Sequence, residues 1–428
     1  MARLAIIGTG YVGLTTGACF AHLGHDVVCA DVDADKVARL SAGEVPIVED
    51  RLELLVREGL GDGRLRFVVG AAEAVADCEV AFLCVPTPQN PDGTAELSYI
   101  EAASAEIAPV LPAESIVVNK STVPVGSTRV VERVLGRPDV TVVSNPEFLR
   151  EGSAVQDFLH PDRIVIGCED QSAAIKVLSL YLGVTAPTVV TDPASAETIK
   201  YAANAFLATK LSFANAIAAV CEGVGADVND VILGLGYDTR IGSEYLKPGP
   251  GWGGSCFPKD TRALVRIAEQ GGYDFRLLDG VIAVNEEQFS RIADKVRDAA
   301  GGDLTGRTIG VWGLTFKAGT DDLRESPSLS VIDRLVAAGA VVRAYDPTVG
   351  SGADLPHDAV GIEVVEDAAE ACHGADVLVV LTEWDEFRWQ DPAELAATMT
   401  TPSVVDARNL LDRARWERHG FVHRGIGR

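Results

Sequence analysis

Long hydrophobic runs are missing from this 428-residue chain; none approaches the roughly 18–20 apolar residues of a membrane span. The apolar start Leu4-Ala5-Ile6-Ile7 is cut at Gly8, so it reads as a short buried strand and not as the core of a signal peptide. Positive charge is scarce. Against 62 Asp and Glu there are 37 Lys and Arg, a net charge of −25, without the basic field that nucleic acid or an anionic membrane surface requires. Cysteine pairs are missing too. The eight cysteines (Cys19, Cys29, Cys78, Cys84, Cys168, Cys221, Cys256, Cys372) are scattered along the chain and form no CxxC. That argues against a disulfide framework and against a structural zinc, and no metal is expected. A reducing, cytoplasmic setting fits this usage. What remains is an ordinary globular composition, 47% hydrophobic, long enough for two or three domains with cores of their own.

The most unusual stretch is Pro248 to Asp260, with four glycines and three prolines in thirteen residues. Neither a helix interior nor a strand interior accepts that composition. It reads as a tight loop with bare backbone, ending in Cys256, Lys259 and Asp260 before an amphipathic helix expected from Thr261. A thiol at a helix N-terminus with a lysine three residues on is placed to become a nucleophilic thiolate. The other seven cysteines read as small buried hydrophobes.

Near the start, an apolar strand runs straight into Gly8, Gly10 and Gly13 in G-x-G-x-x-G spacing. A helical pattern from Leu14 to Leu23 and a second strand, Asp26 to Ala30, follow, and Asp31 stands eighteen residues after the last glycine. This is the dinucleotide fingerprint, with the pyrophosphate expected on the helix N-terminus and the acid on a ribose. An acid there favours NAD over NADP, since a 2′-phosphate would be repelled; Lys36 nearby works the other way. Further apolar strands end in loops carrying Thr87, Thr122 and Glu147, and in open α/β sheets ligands gather at such carboxyl ends.

From Ala196 to Glu222 there is no breaker, which predicts one long buried helix of some 27 residues linking domains or packing on a second subunit. Lys200 and Asn204 share a face of it. A shorter helix to Leu233 is expected, then a loop from Gly234 to Gly242 carrying Arg240. Beyond Gly306 the order strand, turn, helix, strand ending in Asp346, apolar strand repeats the first domain, with Gly-Leu-Thr-Phe-Lys in place of the glycine fingerprint. The expected fold is α/β: two Rossmann-like, doubly wound parallel-sheet domains joined by a long central helix. The boundaries are placed at 1–193 for the NAD-binding domain, 194–300 for the helical linker and dimerisation region with the thiol loop, and 301–428 for the second nucleotide fold.

Taken together, GTGYVG, STVPVGST, NPEFLREG, Lys200 with Asn204, GGSCFPKD and FKAGTDDLRES, in that order, resemble the UDP-glucose/GDP-mannose dehydrogenase family over nearly the whole chain. The resemblance implies a four-electron oxidation of a nucleotide sugar's C6 alcohol to a carboxylate with two NAD. It implies Cys256 as the nucleophile that passes through a thiohemiacetal and a thioester. Lys200, Asn204 and Asp260 would handle the alcohol proton, the oxyanion and a water; Thr122 would position water and Glu147 act as base for thioester hydrolysis. Cofactor contacts are implied at Gly8, Gly10, Tyr11, Val12, Gly13, Asp31, Lys36, Thr87, Thr122, Glu151, Lys259 and Arg324. Substrate contacts are implied at Phe148, Leu149, Glu151, Lys200, Asn204, Tyr245, Lys247, Gly253, Phe316, Lys317 and Arg408, with Arg240 entering from the other subunit of a homodimer. Trp252 stands where the family usually has Phe, and it is expected to pack against the ligand.

UDP-glucose is the expected substrate, on Phe257 and the Phe316-Lys317 region, with GDP-mannose or another nucleotide sugar as the alternative. A single-step β-hydroxyacid dehydrogenase would have no use for Cys256. A non-catalytic nucleotide-sugar sensor needs binding residues but no nucleophile.

Overall fold

The computed structural model describes residues 1–90, 93–352, 355 and 361–428. By compactness the chain divides into two units, Met1–Ala203 with Arg262–Gly271, and Asn204–Thr261 with Gly272–Arg428.

The first unit is built on eight strands: β1 Arg3–Ile7, β2 Asp26–Asp31, β3 Leu65–Val69, β4 Val80–Leu83, β5 Ile116–Asn119, β6 Thr141–Ser144, β7 Ile164–Gly167 and β8 Thr188–Thr191. Their order in the sheet is β3-β2-β1-β4-β5-β6-β7-β8. Strand direction follows the parallel expectation as far as β6, but β7 runs antiparallel to it. The link between them holds the short helix Ala154–Leu159. Side-chain alternation along β1 sends Leu4 and Ile6 to one core and Ala5 and Ile7 to another, so the sheet is covered on both faces.

The second unit repeats the plan with six strands: β9 Thr308–Trp312, β10 Val341–Tyr345, β11 Ile362–Val364, β12 Val377–Val380, β13 Ser403–Asp406 and β14 Val422–Gly425, in the order β11-β10-β9-β12-β13-β14. All its pairings are parallel. Both sheets reverse direction of growth beside their first strand, which opens a crevice at the carboxyl ends there.

Several helices differ from the expected spans, the first of them running Tyr11–His22 and not from Leu14. The long helix runs Pro193–Val224, 32 residues. It starts early because Asp192 accepts from the Ser195 N–H at 2.9 Å and proline suits a first helical turn. It is also not buried on all faces: Phe206, Phe213, Val220 and Val224 are half or more exposed. Their seven-residue spacing sets the first three in one row. By length and composition this helix would pass as a membrane span, yet 44% of its apolar window is buried in protein. The next helix, Val228–Gly236, is capped by Asp227 and continues through Gly234, so the expected loop begins three residues later. The thiol helix is Phe257–Gln270, beginning four residues before Thr261. Pro258 lies in its first turn, where no N–H is required.

Candidate active site

In the first unit the glycine turn forms a cradle. Gly8 has φ +93°, and a Cβ there would stand 2.7 Å from the Cys84 carbonyl oxygen. A Cβ on Gly13 would meet the Gly8 carbonyl oxygen at 1.9 Å. Gly10 caps the helix Tyr11–His22 with no side-chain cap, and nothing lies within 4 Å of where its Cβ would be. Bare helix N–H groups behind open space fit a pyrophosphate. Val12 turns its side chain into the core, leaving only its backbone for a ligand. Asp31 ends β2, accepting from Thr9 N at 3.0 Å, Thr9 Oγ1 at 2.5 Å and Lys36 Nζ at 3.1 Å. Burial works to raise its carboxyl, and these hydrogen bonds outweigh burial and hold it at about 2. It is therefore a carboxylate at any working pH, and Lys36, which pulled the sequence reading towards NADP, is spent on it.

The loops after β4, β5 and β6 are cross-tied in the same unit. Thr87 Oγ1 donates to the Thr122 carbonyl at 2.8 Å. Glu147 is buried and accepts from Lys200 Nζ at 2.9 Å and from the Leu149 N–H at 2.6 Å. Burial pushes the Glu147 carboxyl up, and the Lys200 charge, assisted by these hydrogen bonds and by the Lys120 charge, brings it below its ordinary value. Phe148 lies under the Arg163 guanidinium, 3.6 Å from the ring centre, and Leu149 packs on the core. Glu151 is half-buried beside Gly152.

In the second unit Cys256 occupies the position just before the thiol helix, and its carbonyl accepts the Asp260 N–H at 2.9 Å. It is the one cysteine that is not buried, and none of the eight is in a disulfide. The loop leading to it admits only glycine at two places. A Cβ on Gly253 would sit 1.9 Å from the Glu325 carbonyl oxygen, and Gly254, with φ +82°, would drive one into the Phe316 ring at 2.9 Å. Asp260, 1% exposed, accepts from Asn204 Nδ2 at 2.6 Å and Lys259 Nζ at 2.5 Å. Lys259 is thus paired with Asp260, and Cys256 stands at the positive end of the helix. Trp252 departs from expectation: it is 5% exposed, its indole N–H donates to Ser212 at 2.9 Å, and Asn285 holds its backbone on both sides. An indole so placed anchors the loop from within.

Around the second sheet's crevice, Arg408 donates to the Leu381 carbonyl at 2.7 Å and the Phe316 carbonyl at 3.2 Å, and it pairs with Glu383 at 2.9 Å. The Lys317 ammonium lies 5.5 Å from the Phe316 ring centre. Tyr245 is half-buried with φ +60°, its ring 6.3 Å from that of Phe257, and Lys247 is exposed. Arg324 and Arg240 reach outwards in local pairs with Asp322 and Asp238. Asp346 occupies the place that Asp31 has in the first sheet, but it accepts from Leu314 N, both Thr315 donors and Trp384 Nε1 and is 2% exposed. Among the described residues, no cluster of three or more His, Cys, Asp or Glu could hold a metal ion.

Three family models match the chain in succession: the NAD binding domain (residues 2–185), the central domain (194–287) and the UDP binding domain (310–413) of the UDP-glucose/GDP-mannose dehydrogenase family. The chain belongs to that family. Among similar proteins, a UDP-glucose 6-dehydrogenase of Rhizobium meliloti is 48% identical, covering 100% of this chain and 99% of the relative. One of Pseudomonas aeruginosa is 45% identical over 100% and 97%. The solved structure of a UDP-glucose dehydrogenase from Pyrobaculum islandicum is similar at a TM-score of 0.89, with 38% identity and coverage of 100% and 98%.

For a member of the UDP-glucose/GDP-mannose dehydrogenases, one feature was illegible in the motifs. Glu49 lies far from all of them in sequence, yet its carboxylate accepts from the Tyr11 hydroxyl and from the N–H groups of Gly152 and Ala154, both at 2.7 Å. It ties the dinucleotide turn to the NPEFLREG loop. Only its seat just before the helix Leu52–Gly61, after an apolar Pro-Ile-Val, could have drawn notice.

Proposed function

We propose that this family member is an NAD-dependent UDP-glucose 6-dehydrogenase that carries the C6 alcohol to the carboxylate through two oxidations on one thiol. The observation that carries the reading is Cys256 at the head of its helix, one turn before the buried Asp260–Asn204 pair. Full-length relatives of the same name at 45–48% identity support the substrate. Gly8, Gly10, Gly13, Tyr11, Asp31 and Thr87 hold NAD, with Glu151, Lys259 and Arg324 completing its contacts. When bound it supplies the hydride acceptor for each oxidation.

Asp260 takes up the alcohol proton, and the Lys200 ammonium and the Asn204 amide steady the oxygen at C6 by donating to it. The Cys256 thiolate then adds to the aldehyde carbon, a C–S bond forms, and the carbonyl oxygen takes a proton. The adduct keeps C6 in place for the second oxidation, after which it is a thioester. Water held by Thr122 attacks the thioester, Glu147 accepts the proton, and the C–S bond breaks to return the thiolate. Glu147 suits this task because Lys200 keeps it ionised. Phe148, Leu149, Tyr245 and the Gly253 backbone shape the sugar site. Lys247, Lys317 and Arg408 answer the diphosphate charge in an otherwise acidic protein. The protein works in a reducing compartment as a homodimer, whose second copy covers Phe206, Phe213, Val220 and Val224 and lends Arg240.

The test is NADH formed per sugar consumed. About two per UDP-glucose, with GDP-mannose inert, supports the reading. One per sugar refutes the thiol-dependent second oxidation, and turnover of GDP-mannose alone favours the other branch of the family. Cys256→Ser is expected to abolish acid formation while NAD still binds.

A further inference from the structure

Lys120 is a buried cation that the mechanism above does not use. It follows β5 and is 3% exposed. Its ammonium has two neutral oxygen partners, Asn145 Oδ1 and the Tyr181 hydroxyl, each at 3.3 Å. The faces of Phe158 and Tyr181 lie 5.8 and 6.0 Å away. Among the described residues no carboxylate pairs with it. Taking an ammonium out of water without a counter-charge costs several kcal/mol in general, and such a group persists where its field serves something. Two features say what. Lys120 stands two residues before Thr122, and Asn145 stands two residues before Glu147. Asn145 is itself fixed, accepting from Tyr181 at 2.6 Å and donating to the Val165 carbonyl at 2.8 Å.

We propose that Lys120 is a positioning residue for thioester hydrolysis: it braces the Asn145-Pro146-Glu147 turn against the Thr122 loop and lends the Glu147 carboxylate a second buried positive charge. The inference rests on the reading of Cys256 and Glu147 given above. Several groups face this pair. Lys200 bonds Glu147 directly, Arg163 stacks beside it on Phe148, and Cys84 and Cys19 flank Lys120. Burial pushes both thiols up to about 12, so neither supplies a negative charge near neutral pH. Burial raises the Glu147 carboxyl, and the Lys120 charge lowers it, behind the Lys200 charge and the hydrogen bonds from Lys200 and the Leu149 N–H.

The experiment compares wild type, Lys120→Met and Tyr181→Phe as full-length protein with NAD and UDP-glucose. Single turnovers are quenched across pH 5–9 and the Cys256 thioester is quantified by mass spectrometry. Lys120→Met is expected to leave the first oxidation unchanged and to slow thioester loss about tenfold, the scale of a misplaced base. The acid limb of hydrolysis should move to higher pH, because Glu147 must be ionised to act and has lost a cation. Tyr181→Phe keeps the charge, so it should slow hydrolysis without moving the limb. A Lys120→Met profile with an unmoved limb overturns the inference alone, whatever its plateau. If Lys120→Met does not fold, unchanged hydrolysis in Tyr181→Phe overturns it. A wild type that never forms the thioester overturns the function reading and this inference with it.

Discussion

Replacing Lys200 by methionine would leave Glu147 buried beside an apolar chain of similar volume. The pair is 2.9 Å apart, with both side chains 4% exposed. At an effective dielectric of about 20, that separation corresponds to an attraction of roughly 6 kcal/mol. Removing one partner of a buried pair costs about 3–5 kcal/mol, mostly from the charge left behind. Two checks separate this from lost packing. Glu147→Gln with Lys200→Met removes both charges and is expected to recover most of the loss. The pH dependence also reverses. In the wild type, Glu147 sits below its ordinary value, so its stabilisation is full above the unfolded carboxyl value and fades as pH falls. In Lys200→Met, burial is opposed by the Leu149 N–H and the Lys120 and Arg163 charges, none of them paired with the carboxylate as Lys200 is, and the carboxyl is expected to rise above its unfolded value. Its stabilisation is then present in acid and lost as pH rises. Urea unfolding at pH 8 and pH 5 should therefore show a larger deficit at pH 8. A deficit below about 1 kcal/mol, or one equal at both pH values, would refute the account of Glu147.

Asp31→Ala should raise KM for NAD roughly ten- to hundredfold, the worth of one or two charged hydrogen bonds, with kcat little changed in steady-state assays. Because Asp31 titrates at about 2, wild-type NAD affinity measured by titration calorimetry should show no acid limb from it above pH 5. Gly253→Ala should disorder the thiol loop, since its Cβ would stand 1.9 Å from the Glu325 carbonyl oxygen. Cys256 labelling by iodoacetamide and catalytic rate are expected to change together, and normal activity would refute the packing argument. Phe213→Glu, at a residue 50% exposed on the long helix, should yield monomers in light scattering; an unchanged dimer would place the interface elsewhere.

Much of this protein is local and was legible in its sequence. The glycine turn, Asp31, the repeated strand order and the thiol loop each depend on residues adjacent in the chain, where backbone freedom and apolar runs leave few alternatives. Short or exposed elements were not. β8, Thr188–Thr191, is largely exposed and four residues long, and the antiparallel direction of β7 carries no motif. Site partnerships were the other gap. Lys200 and Asn204 share a helical face in the sequence reading, but Lys200 binds Glu147 and Asn204 binds Asp260. Lys259, read as a charge for the thiol, belongs to Asp260, and Trp252, read as a ligand contact, belongs to Ser212 and Asn285. Glu49 and Lys120 belong to no motif, and their partners lie far from them in sequence. The sequence determines which elements form because hydrogen bonding and side-chain periodicity act within a few residues. Which charge neutralises which is decided only when burial removes water, since a buried charge then takes whatever partner the packing of distant segments brings within about 3 Å.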